Sequence, residues 1–185
     1  MSSLAWFTVL VLAVAVERLV ELVVSTRNTR WSLAHGGVES GRGHYPVMVL
    51  LHTGLLAGAL LEVWWRRPDF MPWLGWTCLV LVLASQGLRW WCIATLGPQW
   101  STRVVVVPGL SLVRRGPYRR LTHPNYVAVV VEGVALPLVH SAWITAAVFT
   151  VANAALLRIR LRAEREALTS LSGPPAPRGE SAPRS

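Results

Sequence analysis

The sequence predicts an all-α integral membrane protein: five transmembrane helices, a tight helical hairpin made by the fourth and fifth, and a non-helical cap at the cytoplasmic face. Three observations carry that expectation. The chain is 53% hydrophobic with a mean hydropathy of +0.45, too apolar for an ordinary soluble domain. Several runs approach the ~20 apolar residues that a bilayer crossing needs. The 18 basic residues, all of them arginine, alternate in density from one connection to the next, which is the positive-inside pattern.

The first expected span is Leu4–Val24. It lacks a basic leading region, and Glu17, Arg18 and Glu21 interrupt its second half, so cleavage as a signal peptide is not expected. The connection after it carries Arg27, Arg30 and Arg42, with His35 and His44 among glycines, where solvated histidines are the ordinary case. The second span, Pro46–Trp65, ends before Arg66 and Arg67; the third is Met71–Trp91. Trp64, Trp65, Trp73, Trp76, Trp90 and Trp91 cluster at the ends of these two spans, where an aromatic belt belongs. Cys78 and Cys92 sit ~21 Å apart along one helix, too far to pair with each other, and read as small apolar core residues.

The third connection is long. Val104–Val107 reads as extended, Pro108-Gly109 as a turn, and Gly116-Pro117 as a second break. Five arginines (103, 114, 115, 119 and 120) place it in the cytoplasm. Irregular backbone at membrane depth is tolerated only where protein buries it or a cavity lies beside it. The fourth and fifth spans, Tyr126–Val139 and Ser141–Leu157, follow as the hairpin, and helix-forming sequence runs on without a breaker to Gly173. Arg160 and Glu164, and Arg162 and Glu166, are i,i+4 neighbours on that extension. Residues 172–185, rich in proline, glycine and serine, read as a disordered tail to a single domain spanning residues 1–171. The arginine pattern puts the N-terminus outside and the C-terminus in the cytoplasm, as in a bacterial cell membrane. The net charge of +9 therefore reports topology and contact with anionic membrane lipid, not nucleic acid.

One stretch resists that account. Gly116 to Tyr126, GPYRRLTHPNY, carries a histidine, an asparagine and two tyrosines directly before apolar sequence. Arginines mark the cytoplasmic side and Pro124 starts a helix, but Tyr118, His123, Asn125 and Tyr126 have no role in such a boundary.

Gly116-Pro117-Tyr118, then His123-Pro124-Asn125-Tyr126, a short hairpin and the run RLRAEREAL from Arg160 to Leu168 resemble the isoprenylcysteine carboxyl methyltransferase family. Its members are membrane enzymes that use S-adenosylmethionine, in a superfamily that includes phospholipid methyltransferases. The resemblance covers roughly residues 100–168. Thr122 stands where the family usually has arginine, and Arg165 where it usually has a second glutamate. His-Pro-Asn-Tyr followed by Glu132 is more similar to a bacterial branch that O-methylates alkylpyrones and alkylresorcinols.

The resemblance implies site residues one by one. Leu110, Ser111, Leu112 and Val113 match a segment lying along the cofactor. Tyr118, His123, Pro124, Asn125, Tyr126 and Glu164 match its pocket, which makes the cytoplasmic cap a cofactor-binding one. Arg160 matches an arginine facing the substrate oxygen, and Arg103 falls at a polar cofactor contact, with a different residue type. The chemistry suits these roles: carboxylates, amides and aromatic faces hold a zwitterion bearing a sulfonium cation. Displacement at a methyl group asks the protein chiefly to align the acceptor oxygen. A carboxylate acceptor needs no base and can be held by Arg160. A phenol or enol must lose a proton, for which His123 and Glu132 are candidates.

The implied activity is S-adenosylmethionine-dependent O-methylation of a lipophilic acceptor drawn from the bilayer. Prenylcysteine methylation, phospholipid N-methylation, a sterol-type reductase and a non-catalytic scaffold of the same fold remain open.

Overall fold

The computed structural model describes residues 2–40, 43–110 and 113–171; the expected tail, Ser111 and Leu112 lie outside them. Five helices follow in order: α1 Ser3–Ala34, α2 His44–Arg66, α3 Pro72–Leu96, α4 Pro124–Leu138 and α5 Trp143–Leu171. Two short strands, β1 Val38–Ser40 and β2 Val104–Val106, pair antiparallel with Val38 opposite Val106. The main body is thus all-helical, with one small ribbon joining the first connection to the third.

Helix starts follow local chemistry. Ser2 caps α1, its hydroxyl accepting from the Ala5 amide at 3.3 Å. Pro72 and Pro124 occupy first-turn positions, where their missing N–H groups cost nothing. The start of α5 is served by another helix. Glu62 of α2 accepts from the backbone amides of Ile144 and Thr145 at 3.1 and 2.8 Å and from the Thr145 hydroxyl at 2.8 Å. A carboxylate there satisfies otherwise orphaned N–H groups and matches the positive end of the helix dipole.

Helix ends differ from the expected spans. α1 runs to Ala34, ten residues beyond Val24, so Arg27 and Arg30 belong to the helix and not to the connection. Hydropathy marks where apolar sequence stops; the backbone stops only at Gly36 and Gly37, the first breakers. The extension carries Ser25, Asn28 and Thr29, which fasten the segment after α3. The Asn28 amide donates to the carbonyls of Gly97 and Trp100 at 3.0 and 2.9 Å. Ser25 bonds the Thr102 hydroxyl at 2.7 Å, and Thr29 the Ser101 hydroxyl at 2.8 Å. Val104–Val106 is extended as expected, and the Leu110 amide closes the Pro108-Gly109 turn on Val107.

By length and composition, three helices among the described residues can cross a membrane: Tyr45–Arg66, Pro72–Gln99 and Trp143–Glu166. All six tryptophans of the expected belt are exposed, as are Val9, Leu12 and Val16 of α1. One end of the bundle has an apolar core built on Phe7, Val11, Val63, Val82, Leu136 and Val139. Toward the other end the buried residues turn polar: Glu21, Ser25, Arg89, Glu132, Asn153 and Arg160. Cys78 and Cys92 are free and buried.

The α4–α5 hairpin closes through Ser141, held at φ +58°. Gly133 of α4 lies so close to the Phe149 ring of α5 that any Cβ would collide with ring carbons. Gly133→Ala is therefore expected to destabilise the protein by about 1–3 kcal/mol, seen as a lower unfolding midpoint in detergent, with part regained in Gly133→Ala/Phe149→Leu. Wild-type stability in the single variant would mean that the two helices can part at no cost.

Candidate active site

Two cavities open where the polar end of the bundle meets the irregular third connection. The larger, about 790 Å³, lies between the segment from Gln99 to Leu110, the stretch from Val113 to Tyr126, and α5 at Arg160 and Glu164. The smaller, about 120 Å³, lies deeper among α1, α2, α4 and α5. Trp100, Asn125, Tyr126 and Arg160 line both. These four side chains are the partition.

The residue stretch that opened the question forms one side of the larger cavity. Gly116, at φ +56°, sits against Thr95 and Trp91, where a side chain would meet both. The turn Gly116–Arg119 that follows places Tyr118 against Cys92 of α3. Burial pushes the Tyr118 phenol well above its ordinary value, and neighbouring Cys92 adds to this, so Tyr118 serves as a neutral donor and an aromatic face. His123 precedes α4, and its ring stacks on Tyr126 at 5.1 Å with planes 10° apart. The Tyr126 hydroxyl donates to Glu164 Oε2 at 2.9 Å, while Glu164 Oε1 stands 3.9 Å from His123 Nδ1. Helices α4 and α5 thereby place a carboxylate over two stacked rings, facing the cavity.

Arg160 does not form the expected i,i+4 pair with Glu164. Its guanidinium is buried: Nη2 donates to the Thr102 carbonyl at 2.6 Å and Nη1 lies 2.8 Å from Met48 Sδ. Its Cζ stands 5.5 Å from the Tyr126 ring centre. Among the described residues no carboxylate pairs with it, and its Nε–H, like Asn125 Oδ1, is buried without a hydrogen-bond partner. Buried polar groups are almost always satisfied; this open donor and open acceptor differ from those of Gln86 and His140 in lining the two cavities, where an occupant can reach them.

Of the other expected residues, Leu110 and Val113 line the larger cavity and Pro124 is fully buried as the helix start. Thr122 and Arg103 also line it; Arg103 is held by Glu39 at 3.1 Å and lies over the Tyr45 ring. Glu132 lines neither cavity. Its carboxylate is bonded by both Arg18 and Arg89, with Glu21 completing a four-membered ionic cluster through Arg18 at 2.5 Å and Arg89 at 3.3 Å. Three of these four, Arg18, Glu21 and Arg89, line the small cavity together with His52 and Asn153.

In the sequence Arg18 and Glu21 stand only as interruptions of a span, and nothing local singles out Arg89, His52 or Asn153. The available signal was their position: an ionisable residue inside an apolar run faces the bundle interior and needs a partner. Glu132→Gln would leave two guanidinium groups sharing only Glu21. A loss of about 3–5 kcal/mol is expected, with a share regained in Glu132→Gln/Arg89→Met because the unpaired charge leaves too. A double-mutant cycle by unfolding in detergent measures this; strictly additive losses would mean that the two side chains do not interact.

Comparison with known proteins places the chain in a family. The family model for isoprenylcysteine carboxyl methyltransferases (ICMT) matches residues 63–170, from the end of α2 through the site-bearing part of α5. The uncharacterized protein YpbQ of Bacillus subtilis is 35% identical over 167 residues, covering 90% of this chain and 98% of that protein. An uncharacterized protein of Haemophilus influenzae is 22% identical over 157 residues, covering 83% of this chain and 90% of its own. The matched region holds Arg89, the His123–Tyr126 stretch, Glu132, Arg160 and Glu164, and with it more than half of the sequence: the chain belongs to the isoprenylcysteine carboxyl methyltransferase family.

Proposed function

We propose that this protein is an S-adenosylmethionine-dependent O-methyltransferase of the bilayer, acting on a lipophilic hydroxylated ring such as an alkylpyrone or alkylresorcinol. Family membership points to a membrane methyltransferase. The observation that carries the finer reading is the partition: a buried arginine without a carboxylate partner among the described residues stands between a roomy polar cavity and a small one lined by Val49, Leu56, Val129 and Leu156 and also by Glu21, His52 and Arg89.

The residues of the larger cavity fit the cofactor. Its volume, about 790 Å³, lies within the ~300–1,000 Å³ of small-molecule sites. Glu164 offers a carboxylate to the ligand's ammonium, and His123, Tyr126 and Tyr118 offer aromatic faces to cationic groups. The open Asn125 Oδ1 is a ready acceptor for an N–H donor. When bound, S-adenosylmethionine supplies an electrophilic methyl group. The protein then has to orient the acceptor, hold negative charge on its oxygen and exclude water. Arg160 is placed for the second task, since its free Nε–H and guanidinium charge act in a buried setting where they are strong.

A carboxylate acceptor, as in a prenylated cysteine, is the second reading. Arg160 suits a carboxylate as well as a phenolate. The small cavity favours the ring, because its walls close around a volume near that of one six-membered ring.

We further infer that all five helices lie in the bilayer, N-terminus outside and C-terminus cytoplasmic. α4, with 15 residues, is only ~22 Å long and crosses as one arm of its hairpin; the charged side chains of α1 are compensated within the bundle. Reporter fusions at Pro68 and after Leu168 should report opposite sides of the membrane, and equal signals would end this topology. Calorimetry of the detergent-purified protein tests the cofactor. Binding is expected, with Glu164→Gln and Tyr118→Ala weakening it about tenfold to a hundredfold while the fold persists. Absence of binding to the wild type would refute the proposed activity.

A further inference from the structure

His52 of α2 is the one imidazole that lines the small cavity among the described residues. Its Nδ1 lies 2.8 Å from the Met48 carbonyl. A carbonyl only accepts, so Nδ1 carries the hydrogen and the neutral ring has its lone pair on Nε2. The Phe149 ring stands edge-on at 5.4 Å and fixes the imidazole plane. Met48 holds two groups at once: its carbonyl orients His52, and its sulfur touches Arg160 Nη1 at 2.8 Å. A proton acceptor and an unpaired cation therefore meet at the same residue, on the same small cavity.

The size of that cavity restricts the occupant. Apolar cavities of ~150 Å³ hold one benzene, and this one is about 120 Å³. One aromatic or pyrone ring matches it, with an alkyl tail leaving between helices toward lipid. Glu21, the one carboxylate lining this cavity among the described residues, is held by Arg18 and Arg89, and the two candidates named from the sequence are engaged elsewhere. Glu132 is bonded by Arg18 and Arg89 and lines neither cavity; His123 stacks on Tyr126 in the larger cavity and faces Glu164.

We propose that His52 Nε2 is the general base that removes the hydroxyl proton of a phenolic or enolic ring seated in the small cavity. This rests on the proposed O-methyltransferase activity and assigns a catalytic residue within it. The acceptor's O–H bond breaks, its proton bonds to Nε2, and the electron pair stays on oxygen beside the Arg160 guanidinium. After the ether has formed, the imidazolium returns its proton to water through the larger cavity. The charged groups around His52 are Arg18 and Glu21 from α1, Arg89 from α3, Glu132 from α4 and Arg160 from α5. The first four carry two charges of each sign, so Arg160 alone favours the anionic acceptor.

His52→Asn is the informative variant, since the Asn amide can still donate to Met48 but offers no base at the Nε2 position. Methyl transfer from labelled cofactor is measured with an alkylresorcinol and with its ring-nitrated analogue, already ionised at neutral pH. Turnover of the alkylresorcinol should fall about 10²–10⁴-fold, while turnover of the nitrated ring stays within a few-fold of wild type. Cofactor binding by calorimetry, expected unchanged, reports folding. If His52→Asn loses that binding, His52→Gln takes its place, and loss in both makes His52 a packing residue and overturns the proposal. Equal losses on the two rings, or full activity on both, overturn it while leaving the methyltransferase reading intact. A wild type that binds cofactor yet methylates neither ring would overturn the phenolic reading and this role together.

Discussion

The carboxylate of Glu132 lies between the guanidinium groups of Arg18 and Arg89, and Glu21 closes the group from the other side. Ions taken out of water cost several kcal/mol each even after relaxation, so none of these four side chains can be placed before the others. The cluster has members on α1, α3 and α4, and it fixes how those helices lie against one another. It also divides the interior. Below it the core is apolar packing around Phe7, Val63 and Leu136; above it Ser25, Thr29, Asn153 and Arg160 are buried beside Trp100, Val104 and Leu156.

The second constraint is irregular backbone near membrane depth, where unsatisfied N–H and C=O groups are costly. Residues 97–102 leave α3 through a single 3-10 turn, Gly97–Gln99, and an extended stretch, and they wall both cavities. They are held by α1, whose Ser25, Asn28 and Thr29 project at helical spacing onto that segment. The ribbon of β1 and β2 adds a further tie. This explains why α1 outlasts its apolar run: its final turns form the surface that holds the segment after α3. Arg160 joins the same system through the Thr102 carbonyl, so its position depends on α1 through two intermediate contacts.

Much of this could be read in advance, and the boundary of legibility has physical causes. Apolar runs located the helices, and Pro124 and Pro108-Gly109 marked a start and a turn because proline and glycine act locally. The GPYRRLTHPNY stretch was visible as chemistry out of place, and Tyr118, His123, Asn125, Tyr126 and Glu164 do come together around one cavity. What stayed hidden depends on pairing across distant sequence. Glu132 meets Arg18 over 114 residues and Arg89 over 43; no local pattern encodes either. Val38–Ser40 has too little sequence to announce a strand, and becomes one only opposite Val104–Val106. His52, which nothing local in the sequence singles out, gains a role only where α1, α4 and α5 supply the rest of its cavity.

A charge balance then separates the site from its scaffold. Arg18 and Arg89 are matched by Glu21 and Glu132, and such closed groups hold structure without attracting further ions. Arg160 has a carbonyl, a thioether and an aromatic face for neighbours, each a weak partner for a full positive charge. Its i,i+4 neighbour Glu164 could neutralise it, but the Tyr126 hydroxyl takes one oxygen of that carboxylate and the other faces His123. Tyr126 therefore acts twice: it keeps the negative charge of Glu164 on the side of the larger cavity, and its ring lines the partition beneath Arg160. The result is a carboxylate at one cavity and an unmatched cation between the two, about one helical turn apart on α5. That ordering suits a cationic ligand above and an oxygen acquiring negative charge below, which are the two partners that a methyl transfer to oxygen must bring together.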